Sequence, residues 1–189
     1  MFGGGNKGWQ TLCLHGPGGG CDCLLQTKRP KVEESLDELS FQRSACSAAQ
    51  QGNVAKLQKI LNKNPEAVHS DGAQDTTGYS PLHYAARAGH LEAVRILIAS
   101  GANVNAATRA GRATPLMRAA HMGHSDVVRE LISAGADGML QDADHECAFH
   151  KAAAQGHTEV CNILAGSFPG CLDLRDKHGR KANEKGTRA

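Results

Sequence analysis

The residues best able to do chemistry lie near the N-terminus. Cys13-Leu14-His15 and Cys21-Asp22-Cys23 place three thiols and an imidazole within eleven residues. A tetrahedral Zn²⁺ site takes a Cys₃His set, and the glycine-proline stretch Gly16–Gly20 would let the loop close around it. The same residues also suit a reduced, solvated tail, because two C-x-C-like pairs make a very small knuckle with no core of its own. Both readings stand at this level.

Other clusters carry less. His145-Glu146-Cys147-Ala148-Phe149-His150 resembles the zinc-protease pattern H-E-x-x-H, but its histidines are five apart rather than four and fall across a turn. His15–Gly20 has the look of an oxyanion-hole loop, yet no G-x-S-x-G elbow exists to use it. Lys7 follows glycines without a phosphate-cradling G-x-x-x-x-G-K-[ST] pattern. Lys28-Arg29-Pro30-Lys31 reads as an import signal or, with Glu33 and Glu34 following at once, as a solvated linker. No motif joins a nucleophile, a base and an orienting group, so the expectation is a non-enzymatic protein.

The elements that would position these residues are set by a repeat. Gly89-His90, Gly123-His124 and Gly156-His157 recur at spacings of 34 and 33. Each pair follows a short helical pattern and precedes a longer one. The longer helices carry Leu91, Val94, Leu97 and Ile98, then Val127, Val128, Leu131 and Ile132, then Val160, Ile163 and Leu164, so that each set shares one face. Gly101 and Gly135 suit left-handed caps at the ends of the longer helices. Ser80 and Thr114 suit N-caps of the shorter ones, with Pro81 and Pro115 at the first helical position, where a missing N–H costs nothing. Leu82, Leu116 and Phe149 are predicted to face the core.

Ser80-Pro81-Leu82-His83-Tyr84-Ala85-Ala86 resembles the ankyrin T-P-L-H-x-A-A signature, and Gly101-Ala102-Asn103-Val104-Asn105 resembles its G-A-D-V-N ending. The resemblance covers residues 40–182. It implies an all-α ankyrin-repeat solenoid of helix-turn-helix repeats with β-turn tips: four repeats, over 40–71, 75–106, 108–138 and 142–170, and a partial fifth over 171–182. A Gly/Cys-rich extension over 1–31 precedes the repeat domain of 32–182, and a basic tail over 183–189 follows it. The first repeat is degenerate, entered through a capping box at Ser35-Leu36-Asp37-Glu38. The family implies that His83 and His150 hydrogen-bond within their turn regions. The third repeat has Met117 where that histidine belongs and one inserted residue at Arg112-Ala113. The fourth has His145 in place of the turn glycine, Cys147 for the capping hydroxyl and Ala148 for proline, and its turn is therefore expected to be looser. No polar-faced C-terminal cap is visible after the fifth turn.

Such arrays bind proteins on a concave face of turn tips and inner helices, and the resemblance carries that face to Thr76, Thr77, Tyr79 and Arg87, to Arg109, Arg112, Arg118, His121 and Met122, and to Asp144, Glu146, Lys151 and Gln155. Four arginines lean toward a partner with acidic patches. The expected function is a scaffold or adaptor, as a monomeric array or a subunit of a larger hetero-complex. The alternative is a zinc-dependent module using Cys13, His15, Cys21 and Cys23. A net charge of +2 gives no strong pull toward nucleic acid or anionic membrane, and no apolar run reaches a membrane span. Seven cysteines, an odd count, fit a reducing compartment: the cytoplasm, or the nucleus or a cytoskeletal or ciliary assembly within the cell.

Overall fold

Helices alternate short and long because the capping residues recur. In the computed structural model, residues 44–69 and 78–181 are described. The Ser35 capping box, Thr76, Thr77, the four N-terminal Cys and His residues and the C-terminal tail lie outside them. The described residues hold four helix pairs. They are α1 (Ala45–Gln50) with α2 (Val54–Lys63), α3 (Pro81–Ala88) with α4 (Leu91–Ala99), α5 (Pro115–Met122) with α6 (Ser125–Ser133), and α7 (Ala148–Gln155) with α8 (Thr158–Ser167). Single 3₁₀ turns, Pro65–Val68 and Pro169–Leu172, follow α2 and α8.

The local chemistry of each start is plain. Ser44 caps α1 by accepting from the Ser47 N–H at 3.2 Å, and Asn53 caps α2 by accepting from Lys56 at 3.0 Å. Thr114 Oγ1 accepts from the Met117 N–H at 3.4 Å. Pro81 and Pro115 open α3 and α5, as expected. At the other end of α3, α5 and α7, Gly89, Gly123 and Gly156 take left-handed φ of +78°, +79° and +75°. The following histidine N–H then closes onto the carbonyl of Ala85, Ala119 or Ala152, a Schellman closure that satisfies an orphan acceptor.

The core is thin and continuous. Ala45, Ala48 and Ala49 of α1, Ala85 and Ala86 of α3, Ala119 and Ala120 of α5, and Ala152 of α7 are sealed between neighbours. Leu57, Leu97, Leu131 and Leu164 fill the layer between the inner and outer rows. Small residues let the inner helices approach closely, which explains how an array with few aromatics still packs dry.

Three kinds of contact lock one pair to the next. First, His90, His124 and His157 each direct Nε2 at a carbonyl of the preceding pair: Gln50 at 3.1 Å, Arg87 at 3.1 Å and His121 at 3.0 Å. In doing so each ring covers the preceding glycine. A Cβ on Gly52, Gly89 or Gly123 would lie within 2.7, 2.6 and 2.6 Å of that ring. Second, His83 joins turns. The Ser80 N–H donates to His83 Nδ1 at 3.1 Å, which makes Nδ1 the acceptor and leaves Nε2–H to donate to the Ala113 carbonyl at 3.0 Å. Third, Asn105 reaches into the next loop, accepting from the Asp137 N–H at 2.9 Å and donating to the Gly135 carbonyl at 3.3 Å.

Met117 and His150 show what departure from the histidine does. Met117 is buried and its sulfur takes only a weak contact from the Thr114 N–H at 3.5 Å, so no side chain of α5 staples the fourth turn. His150 keeps the local half of the pattern, with Cys147 Sγ at 3.1 Å from Nδ1. Its buried Nε2 has no hydrogen-bond partner among the described residues. Burial is the main reason its pKa sits below the usual imidazole value.

In the third turn the left-handed residue is Arg112 at φ +50°, the inserted residue having shifted the register by one. One turn expectation needs correction. The fourth turn is not looser than its neighbours. His145 does sit at φ +58°, but Asp142 Oδ1 accepts from the N–H groups of Asp144 at 2.8 Å and Glu146 at 2.9 Å, and these bonds hold the turn closed. Residues 173–181 repeat that design: Asp176 Oδ1 accepts from His178 at 2.8 Å and Arg180 at 3.0 Å, and Gly179 takes φ +75°. The opening turn of a fifth repeat is therefore formed.

Candidate partner-binding site

The turn tips stack by backbone bonds. Ala143 N–H donates to the Gly111 carbonyl at 3.0 Å, and Lys177 N–H to that of Asp144 at 3.0 Å. Where these tips lean over α5 and α7 they leave a groove of about 330 Å³. One wall is Gly111, Ala113, Met117, Arg118 and His121; the other is Asp142, Ala143, Asp144, Glu146, Lys151, Ala154 and Gln155. Of the residues singled out in the sequence, the groove gathers Arg118, His121, Asp144, Glu146, Lys151 and Gln155. Tyr79, Arg87, Arg109, Arg112 and Met122 lie outside its lining. Thr76 and Thr77, like Cys13, His15, Cys21 and Cys23, are outside the described residues.

The charges around the groove are unevenly used. Lys151 Nζ sits between Asp142 at 2.7 Å and Glu146 at 2.6 Å, on side chains that are largely buried. Asp144 pairs with Lys177. All three acids of the fourth turn therefore have cation partners. On the other side Arg87, Arg109 and Arg112 are exposed and make no ion pair among the described residues. Arg109 packs over Gly78 at the second turn.

Arg118 is committed differently from its neighbours. Its guanidinium lies 5.0 Å from the centroid of Tyr79 and donates to the Tyr79 hydroxyl, while its Nε is buried without a partner. Tyr79 in turn meets the His83 ring edge-on at 5.4 Å. Arg118 is thus part binding surface and part strut between the second and third repeats.

Exposed His121 has its pKa lowered, first by partial burial and then by the positive charge of Lys151, Arg118, His157 and Arg87. Met122, beside it, is 45% exposed, a large apolar side chain in the same row as Ala88 and Gln155.

The two roles that sequence reasoning missed are those of Asp142 and Tyr79. Asp142 had a readable signal: Asp142 and Asp176 each stand three residues before a left-handed position, His145 and Gly179. Tyr79 had none, since its partner is 39 residues away. His145 and His150 do not converge. The first is exposed at a turn tip and the second is fully buried in α7. Among the described residues no group of three or more His, Cys, Asp and Glu is placed to hold a metal ion, and no helix is long and apolar enough to cross a membrane.

Comparison with known proteins agrees with this architecture. Over 77 residues the chain is 36% identical to human ankyrin repeat domain-containing protein 39, covering 41% of this chain and 40% of that protein. The bovine protein of that name is 38% identical over 78 residues, covering 41% and 38%. A Caenorhabditis elegans homologue of transient receptor potential cation channel subfamily A member 1 is 45% identical over 64 residues, 34% of this chain and 5% of the channel. The matches thus span less than half the length of these relatives. The family description "Ankyrin repeats (3 copies)" matches residues 45–142 and 116–183. With the period, the caps and the stacked helix pairs in agreement, the chain belongs to the ankyrin repeat family.

Proposed function

We propose that this protein is a non-enzymatic adaptor that holds a protein partner on its concave face, across the turn tips and inner helices of the second to fourth repeats. Ankyrin repeats generally mediate protein–protein interaction, which sets the class. The observation that supports this face is its charge imbalance. Asp142, Asp144 and Glu146 are each paired with lysine, whereas Arg87, Arg109 and Arg112 stand exposed without an ion pair among the described residues. Arginine and aromatic residues are favoured interface anchors, and an acidic partner surface would complement this strip.

Affinity capture with the full chain, with partners identified by mass spectrometry, tests the reading. Arg87→Glu with Arg112→Glu should lower capture at least tenfold while the helical circular dichroism is unchanged. Arg129→Glu, on the outer helix α6, serves as the control and should leave capture as it was. Capture that responds only to Arg129→Glu would move the interface to the opposite face. Arg118→Glu is a poorer probe, because it also breaks the Tyr79 strut.

The N-terminal Cys13, His15, Cys21 and Cys23 make a separate proposal, a Cys₃His zinc site in a reducing compartment, that rests on the donor set alone. Zinc analysis of the full chain, with and without Cys21→Ser and Cys23→Ser, tests it. Stoichiometric zinc lost in the variants is the expected result, and unchanged zinc would refute it.

A further inference from the structure

Cations from three elements lie near His121: Arg87 from α3, Arg118 from α5 and Lys151 from α7. His157, at the entry to α8, donates from Nε2 to the His121 carbonyl at 3.0 Å. The acids on the facing wall are Asp142, Asp144 and Glu146. Asp142 and Glu146 are joined to Lys151, Asp144 is joined to Lys177, and Asp142 also accepts two backbone N–H groups. Asp142 and Glu146 share one lysine, so only with Arg87 and Arg118 added do the full positive charges exceed the three acids, by one; the groove beside them is of side-chain size.

We infer that this spot receives a carboxylate side chain from an extended acidic peptide, and that His121 takes up one proton from solvent as the peptide binds. The inference rests on the concave-face reading given above and adds the ligand chemistry and the proton. In the free protein a charge on His121 is disfavoured, first by partial burial and then by the positive side chains of Lys151, Arg118 and Arg87. A bound carboxylate reverses the sign of the local field, and the imidazolium becomes an additional donor to it. Met122, exposed at the next position, offers an apolar contact for a residue flanking the acid. A nucleic acid strand fits less well. Its bases need an open aromatic surface, whereas the Tyr79 ring is covered by Arg118 and no large aromatic side chain is exposed among the described residues.

Fluorescence anisotropy on the full chain provides the test, using fluorescein-labelled deca-glutamate at constant ionic strength between pH 6.0 and 7.5. The glutamates remain ionised there, so the pH response reports the protein. Binding should tighten as pH falls, by no more than about tenfold per pH unit, the limit for one linked proton. His121→Gln should flatten that response, and Arg87→Gln should weaken binding severalfold at every pH. Deca-lysine should not bind, and oligo-dT of matched charge should bind more weakly than deca-glutamate.

A slope that survives His121→Gln would overturn the proton step. Failure of deca-glutamate to bind above deca-lysine would overturn the acidic ligand, and tighter binding of oligo-dT would replace it with a nucleic acid. If partner capture still falls with the Arg87/Arg112 variant while deca-glutamate is ignored, this inference fails and the adaptor reading survives. If neither responds, both fail.

Discussion

At the scale of single residues, the Gly-His pair does more than mark the period. The glycine must take a positive φ to end its helix, and it must also lack a side chain because the next repeat's imidazole lies on it. Gly156 separates the two demands. It has φ +75° like the others, but nothing described lies within 4 Å of where its Cβ would be. Gly156→Ala should therefore cost about 1 kcal/mol, the left-handed penalty alone. Gly123→Ala should cost about 1–2 kcal/mol more, because the His157 ring must move and its hydrogen bond to His121 is lost. Urea denaturation of the two variants gives the comparison, and equal losses would mean the ring contact contributes nothing. The reverse change applies at His145 and Arg112, whose turn hydrogen bonds are made by the backbone and survive substitution. His145→Gly and Arg112→Gly should each stabilise by about 0.5–1 kcal/mol by the same assay.

Elements show which inferences from sequence reach structure and which stop short. Proline at the first helical position, serine or threonine before it and glycine after the last turn are local signals, and α3 and α5 begin and end where those signals lie. The turns were harder to read. In the third turn the insertion moves the left-handed site to Arg112, a change of register that composition does not reveal. His145 suggested a loose turn because the penalty at one residue was weighed without the carboxylate that offsets it. Asp142 and Asp176 supply that carboxylate in successive turns. At Asp176, burial pushes the pKa up, but the His178 and Arg180 N–H groups and the Arg180 guanidinium outweigh it and hold the carboxyl below its usual value. A carboxyl depressed in the fold stabilises above its unfolded pKa and loses that effect as pH falls through the folded one. The 173–181 turn should thus hold down to about pH 4 and open below it. Amide chemical shifts of His178 and Arg180 followed through acid titration would report this, and Asp176→Ala, which removes the acceptor of both N–H groups, should show the opened state at neutral pH.

The whole array responds to pH through histidines as well. His121 and His150 both have lowered values in the fold, mainly from burial, with positive neighbours adding to the effect at His121. Such a group favours folding while neutral, so its contribution is present above the unfolded value of about 6.5 and is lost as pH drops below it. Thermal midpoints should fall from pH 7 to pH 5, and the double variant His121→Gln/His150→Gln should show a shallower fall. The candidate site was legible only in outline. Family placement proposed the strip, but the sequence does not show which of its charges are already paired, as Lys151 is with Asp142 and Glu146. One feature of the fold carries further. The imidazole-on-glycine contact recurs three times with the same partner atoms and similar geometry, as an interlocking joint between neighbours. Parts that share a joint are interchangeable: a unit cut just after one Gly-His pair and ended on the next brings its own mating surfaces, so copies can be inserted, removed or reordered and the groove moved along the stack.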